Sequence, residues 1–237
     1  DMSESRERAL VTGASSGIGM EIARVLAAQG CDLVICARRR VELEALAEEL
    51  TAAHGTTVEV VTADLATRAG VQELIERAGE LDILVNNAGV VAGGPFLDVP
   101  LKEHARTYQV NVLGLVAMTH AFLGALIERP EAHIVQIASA AAFIGLPKGS
   151  TYASSKWAVL GFSESLRLES VLHYFSGRQL VFRIRIGASH PKDRFLLNIV
   201  LSFNDQIEIS ILDIFCGTGR PGRFRRRGSA LRISRAC

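Results

Sequence analysis

Up to about residue 170 the chain alternates short apolar runs with amphipathic stretches. The apolar runs ALVT (9–12), DLVICA (32–37), TVEVVTA (57–63), DILVNNAG (82–89) and AHIVQIAS (132–139) have the length and β-branched content of buried strands. The stretches between and after them predict helices over 18–29, 41–53, 71–78, 101–108, 111–128 and 152–171. The second of these is the clearest. Val41, Leu43, Leu46, Ala47 and Leu50 share one side and glutamates occupy the other. Gly30 stands where the first helix would stop. Strands alternating with helices of this length imply βαβ units and a parallel sheet. Right-handed crossovers then give an α/β, doubly wound, Rossmann-type domain. Ligands of such sheets bind beyond the carboxyl ends of the strands, so those ends are where chemistry is sought.

Composition changes this picture little. The chain has 237 residues, 49% of them hydrophobic, which excludes chain-wide disorder. The net charge of +1 selects no partner. The average hides an asymmetry, because residues 1–170 carry 14 Lys/Arg against 21 Asp/Glu and residues 171–237 carry 12 against 4. Cys31, Cys36, Cys216 and Cys237 form no CxxC and no metal-ligand spacing, which fits free thiols in a reducing compartment. The first residues are polar, unlike a signal peptide. The apolar run 110–127 carries Asn111, Thr119 and His120, and reads as a buried or interface helix rather than a membrane span. The expectation is a soluble, cytoplasmic protein without a membrane partner.

The strand ends carry the candidate chemistry. After the first strand, Gly13, Ser15, Ser16, Gly17, Ile18 and Gly19 form a glycine-rich turn that opens a helix. Glycine lets the backbone turn sharply and approach a phosphate, and the helix start offers free N–H groups to a pyrophosphate. The second strand ends at Arg38 and Arg39, with no acidic residue to bind a ribose 2′-hydroxyl. Either guanidinium can receive a 2′-phosphate, which favours NADP over NAD; a solvated basic turn is the other reading. Asp64 and Leu65 end the third strand. Asn86, Asn87, Ala88 and Gly89 end the fourth, where small residues admit an adenosine or ribose and the amides can tie strand ends together.

Ser139 ends the fifth strand, and Tyr152 and Lys156 follow at i and i+4 on a helix. An ammonium beside a phenol favours phenolate, whose unperturbed pKa of ~10 is otherwise poorly matched to neutral pH. Tyr152 can then act as general acid in carbonyl reduction and general base in alcohol oxidation. The Ser139 hydroxyl can orient the substrate oxygen.

TGASSGIG (12–19), NNAG (86–89), Asn111 in YQVNVLG, Ser139 in IVQIAS and YASSK (152–156) together resemble the short-chain dehydrogenase/reductase family. The resemblance covers roughly residues 6–170. It implies a single Rossmann-type domain with a seven-stranded parallel sheet. It implies that Tyr152 is the acid/base, that Lys156 also bonds the nicotinamide ribose, and that Ser139 positions the carbonyl. Asn111 would hold a water linking Lys156 to solvent. Asp64 would lie near the adenine, and Asn86 to Gly89 on the adenosine side. The arginine after the second strand is similar to that of NADP-preferring members. Members often form homodimers or homotetramers through two long helices, here 111–128 and 152–171. The activity implied is hydride transfer between NADP(H) and a small-molecule carbonyl or alcohol.

After residue 170 the resemblance fails. Residues 180–186 alternate as a sixth strand would, but the expected Pro-Gly-x-x-x-Thr is replaced by Gly187, Ala188, Ser189 and His190. Residues 207–215 also alternate. Residues 171–237 form a divergent basic segment expected to stand in place of the family's last strands and substrate lid. A translation-frame change or rearrangement near residue 171, a divergent lid and a basic arm for an acidic partner such as nucleic acid all remain open. No aromatic interleaving or recognition motif favours the last. A catalytically impaired binding or scaffold protein is the alternative function.

Overall fold

A computed structural model describes residues 6–173, 179–187, 195–201, 206–213 and 231–234. Parallel strands β1 (Arg8–Thr12), β2 (Asp32–Ala37), β3 (Val58–Thr62), β4 (Ile83–Asn86) and β5 (Glu131–Ser139) pair in the order β3-β2-β1-β4-β5. Helices α1 (Gly17–Ala28), α2 (Arg40–His54), α3 (Arg68–Ala78), α4 (Leu101–Tyr108), α5 (Leu115–Ile127) and α6 (Ser150–His173) connect and cover them. The order reverses between β1 and β4, so the ligand-binding crevice lies beyond these two strand ends.

Side-chain alternation divides the core into two layers. Leu10, Val34, Leu84 and Ile134 point to the layer that holds Leu74 of α3 and Met118, Phe122 and Leu126 of α5. Val11, Leu33, Ile35, Val85 and Val135 belong to the opposite layer, with Ile22 and Ala23 of α1 and Leu43, Leu46 and Leu50 of α2. Burial on both faces is why these strands read as continuous apolar runs. Residues 101–127 are the one described helical stretch long and apolar enough to cross a membrane, and within it Met118, Phe122 and Leu126 pack into the first layer.

Two expected helices prove to be one. α4 runs into α5 through a π-helical turn, Gln109–Gly114, centred on Asn111. The wider turn absorbs an extra residue where Gly114 presses on the third strand's exit loop; a Cβ there would lie 2.9 Å from the Leu65 carbonyl oxygen.

β6 (Gln179–Gly187) falls on the alternating stretch 180–186, pairs parallel to β5 and brings Gly187 opposite Ser139. The sheet then departs from the seven parallel strands that the resemblance implies. β7 (Phe195–Leu201), β8 (Gln206–Asp213) and β9 (Leu231–Ser234) are antiparallel neighbours, giving nine strands among the described residues. β8 falls on the alternating stretch 207–215, whereas β7 and β9 were not legible. The arginine-rich residues 214–230 lie outside the described residues.

The strand ends at the crevice are fastened by polar groups. The buried Thr12 hydroxyl donates to the Val85 carbonyl at 3.2 Å and accepts from the Asn87 and Ala88 N–H groups, each at 3.0 Å. Thr12→Val keeps the shape but leaves these backbone groups without a partner. It should lower unfolding free energy by about 2 kcal/mol, read as a reduced urea midpoint at unchanged slope; an unaltered midpoint contradicts this role.

Candidate active site

The glycine-rich turn is shaped by the strand beside it. Gly13 takes φ +71° and its N–H donates to the Cys36 carbonyl at 2.7 Å. A Cβ on Gly13 would lie 2.8 Å from both Ala88 Cα and Asn87 Nδ2. One on Gly19 would collide with Asn87 Nδ2 and the Gly13 carbonyl. The Asn87 amide fills this space by donating to the Thr12 and Gly13 carbonyls at 2.9 and 3.2 Å. Gly13 and Gly19 are therefore demanded by packing. Gly17 is demanded by its φ of +58° and faces open space. Ser16 begins α1 without a side-chain cap, and the first turn carries no acidic residue. The helix start is thus left positive, as an anion requires.

From this turn a cleft of about 520 Å³ extends over the strand ends. Gly13, Ser15, Ser16 and Ile18 line it, with Arg38 and Arg39 from the end of β2, Asp64 and Leu65 after β3, and Asn87, Ala88 and Gly89 after β4. Gly17, Gly19, Tyr152 and Lys156 are not among its lining. A glycine cradle, an uncapped helix start and exposed guanidinium groups suit a nicotinamide dinucleotide.

The two arginines differ. Arg39 folds back, donating to Ser15 Oγ at 3.1 Å and to the Ser15 carbonyl at 3.1 Å, with Glu42 at 3.3 Å. Arg38 is exposed and makes no hydrogen bond or ion pair with another described residue, although it attracts the Asp64 carboxylate across the cleft. Asp64 is held by Arg106 of α4, whose Nη2 reaches Oδ1 at 3.0 Å and Oδ2 at 2.9 Å. Partial burial works against the Asp64 charge. The Ala66 N–H at 3.0 Å and Arg106 outweigh it and hold this carboxyl below its usual range. Arg106 lines the cleft too. The sequence reading missed it, since nothing in the spacing joins positions 64 and 106.

Ser139, at the end of β5, is buried and accepts the Ala141 N–H at 3.2 Å, so its hydroxyl proton is left to donate. Tyr152 and Lys156 share a face of α6, as their spacing requires. Lys156 Nζ lies 5.9 Å from the Tyr152 ring centroid and donates to the Ile137 carbonyl at 2.7 Å. The Tyr152 hydroxyl has no hydrogen-bond partner among the described residues. Asn111 accepts the Val90 N–H at 2.8 Å and donates to the Val90 carbonyl and Ser155 Oγ, each at 3.0 Å. Its amide thus fixes the loop leaving β4 to α6. Gly89 joins the cleft to these residues, since a Cβ there would stand 3.5 Å from Asn111 Oδ1 and 3.8 Å from Lys156 Nζ. Two contacts that the sequence did not disclose fasten α4 to the start of α6: His104 Nδ1 with Thr151 Oγ1 at 2.6 Å, and the Tyr108 hydroxyl with Ser154 Oγ at 2.7 Å.

Burial lowers the Lys156 pKa from 10.5 to about 8. Between these values the unfolded chain binds the proton and the folded chain does not, so stability gains with rising pH. Lys156→Met removes this gain. Urea unfolding from pH 8 to 10.5 should show the wild type rising against Lys156→Met by up to roughly 3 kcal/mol; a constant difference would contradict the burial effect.

Comparison with known proteins places this geometry. The short chain dehydrogenase family matches over residues 7–174. Dehydrogenase/reductase SDR family member 7B of Bos taurus is 39% identical over 173 residues, which cover 69% of this chain and 53% of the relative. The chain spans about half the length of the curated relatives first matched. Among solved structures, a short-chain dehydrogenase of Sphingobium yanoikuyae in complex with NADPH is 33% identical, with a TM-score of 0.67 over 74% of this chain and 70% of that one. A short chain dehydrogenase/reductase of Burkholderia phymatum in complex with NAD is 31% identical, with a TM-score of 0.71 over 78% and 66%. The family match over residues 7–174 and the identity with these relatives lead to one conclusion: this chain belongs to the short-chain dehydrogenase/reductase family.

Proposed function

We propose that this oxidoreductase transfers hydride between NADP(H) and a carbonyl or alcohol substrate, with Tyr152 as acid/base. The reading is supported by the placement of Lys156 beside Gly89, a residue that lines the cleft, with Tyr152 on the same face of α6 and Ser139 at the end of β5. When bound, the dinucleotide supplies or accepts the hydride. In reduction, the Ser139 hydroxyl donates to the substrate oxygen while its own lone pair is engaged by Ala141. Tyr152 delivers the proton to that oxygen as negative charge develops on it. The Lys156 ammonium, fixed on Ile137, stabilises the resulting phenolate, and Asn111 holds the backbone of the loop opposite. A water beside Asn111 would return a proton through Lys156. In oxidation the same groups act in reverse. Arg38 supports NADP over NAD, because it is the guanidinium that the fold leaves free at the end of β2.

The outer faces of α5 and α6 support a homodimer or homotetramer, for Leu113, just before α5, is 62% exposed, and Trp157 and Leu168 of α6 are 53% and 47% exposed. Residues 171–237 are read as replacing the family's last strands and substrate lid, since β6 brings Gly187 beside Ser139.

Tyr152→Phe should lower turnover of NADPH with a panel of ketones and aldehydes by 10²- to 10⁴-fold, roughly the contribution of a positioned general acid. Its NADPH affinity by fluorescence titration should stay within about twofold. Wild-type turnover in this variant would reject the acid/base assignment; no turnover in the wild type would favour a binding or scaffold role. The same titration should give tighter binding of NADPH than NADH, and equal affinities would reject the NADP preference. Sedimentation velocity should find the chain as a dimer or tetramer, and a monomer at micromolar concentration would exclude the helix-face assembly.

A further inference from the structure

The end of the cleft near β2 is lined by four charged side chains. Arg39 is turned onto Ser15 and Glu42, which leaves Arg38, Asp64 and Arg106. Only one pairing is made. Arg106 Nη2 spans both oxygens of Asp64, and the Ala66 N–H takes a further position on Oδ1. The carboxylate thus accepts three hydrogen bonds, whereas Arg38 makes no hydrogen bond or ion pair among the described residues. The three together carry one net positive charge. Without Arg106 the remaining pair would be neutral, and Asp64 would compete directly with any anion for Arg38.

We infer that Arg106 is a specificity-determining positioning residue. By occupying Asp64 it keeps Arg38 available for the 2′-phosphate of NADP. The inference rests on the proposed NADP preference and explains how a cleft containing an acidic side chain can favour a doubly charged phosphate. The effect is modest by construction, because the Arg106 and Asp64 side chains are 27% and 33% exposed and water screens the pair. Arg106 acts here through Asp64, not by touching the ligand.

Charge arithmetic supplies the test. Arg106→Met leaves the cleft end neutral, and adding Asp64→Asn restores one net positive charge. Dissociation constants for NADPH and NADH are measured by fluorescence titration at fixed ionic strength for the wild type, Arg106→Met, Asp64→Asn and the double variant. Taking the ratio of the two constants cancels any change shared by both nucleotides, such as loss of an adenine contact or partial misfolding. The expected result is an NADPH-to-NADH ratio raised about tenfold in Arg106→Met and returned to near the wild-type value in the double variant. An unchanged ratio, or equal weakening of both nucleotides, would reduce Arg106 to a structural contact and overturn the inference. Loss that Asp64→Asn fails to restore would also overturn it, by making Arg106 a direct ligand of the phosphate. A wild type that prefers NADH would reject the NADP reading by itself; the response of the ratio to Arg106→Met is a separate measurement.

Discussion

The Asn87 amide, wedged between the Thr12 and Gly13 carbonyls, is the contact on which the site depends. β1 and β4 are neighbours at the point where strand order reverses, so their ends must diverge to open a crevice and still be held at a fixed distance. Backbone pairing cannot do this beyond the last ladder bond. Thr12 and Asn87 replace it with side-chain bonds to backbone groups on the opposite strand end. The contact brings Asn87 so near the turn that no side chain larger than hydrogen is accommodated at positions 13 and 19. The cleft floor is a consequence of this packing, and the glycines follow from it.

The half of the site around Lys156 obeys a different constraint. Lys156 is charged chemistry placed where water is scarce, with 5% of its surface exposed. A carboxylate partner would have repaid its desolvation, but none is given among the described residues. The Ile137 carbonyl accepts one of its protons, which orients the ammonium without neutralising it. The cost appears in the lowered pKa, and the same feature leaves positive charge beside Tyr152.

Much of this was readable from the chain. Buried strands and amphipathic helices leave strong periodic signals, and Tyr152 and Lys156 meet because i and i+4 share a helix face. The turn residues were found, although for a partly different reason: the sequence reading gave Gly13 and Gly19 to phosphate approach, whereas packing on Asn87 requires them. Asn111 was found through the resemblance, but its ties to Val90 and Ser155 depend on a π turn that no periodicity announces. Arg106 was missed because its partner lies 42 positions away. A polar residue on a polar helix face looks the same whether it meets water or a carboxylate. β7 and β9 were missed for a related reason: antiparallel neighbours added to the end of a parallel sheet need no crossover helix, so the strand–helix alternation used to find the first strands does not reach them.

Both ends of the site share one electrostatic device. Stability alone favours pairing every cation with an anion, since an unpaired charge gains nothing from the fold. At the α6 end the Lys156 cation is bonded to a neutral carbonyl. At the β2 end the nearby carboxylate is already taken by Arg106, and Arg38 stays free. The helix start between them carries neither a cap nor an acidic residue. Three positive sources thus lie along the path from Arg38 through the glycine turn to Lys156, none of them ion-paired with a carboxylate among the described residues. A ligand with anionic groups spaced along that path gains all three at once, whereas a fragment reaching one gains only that one.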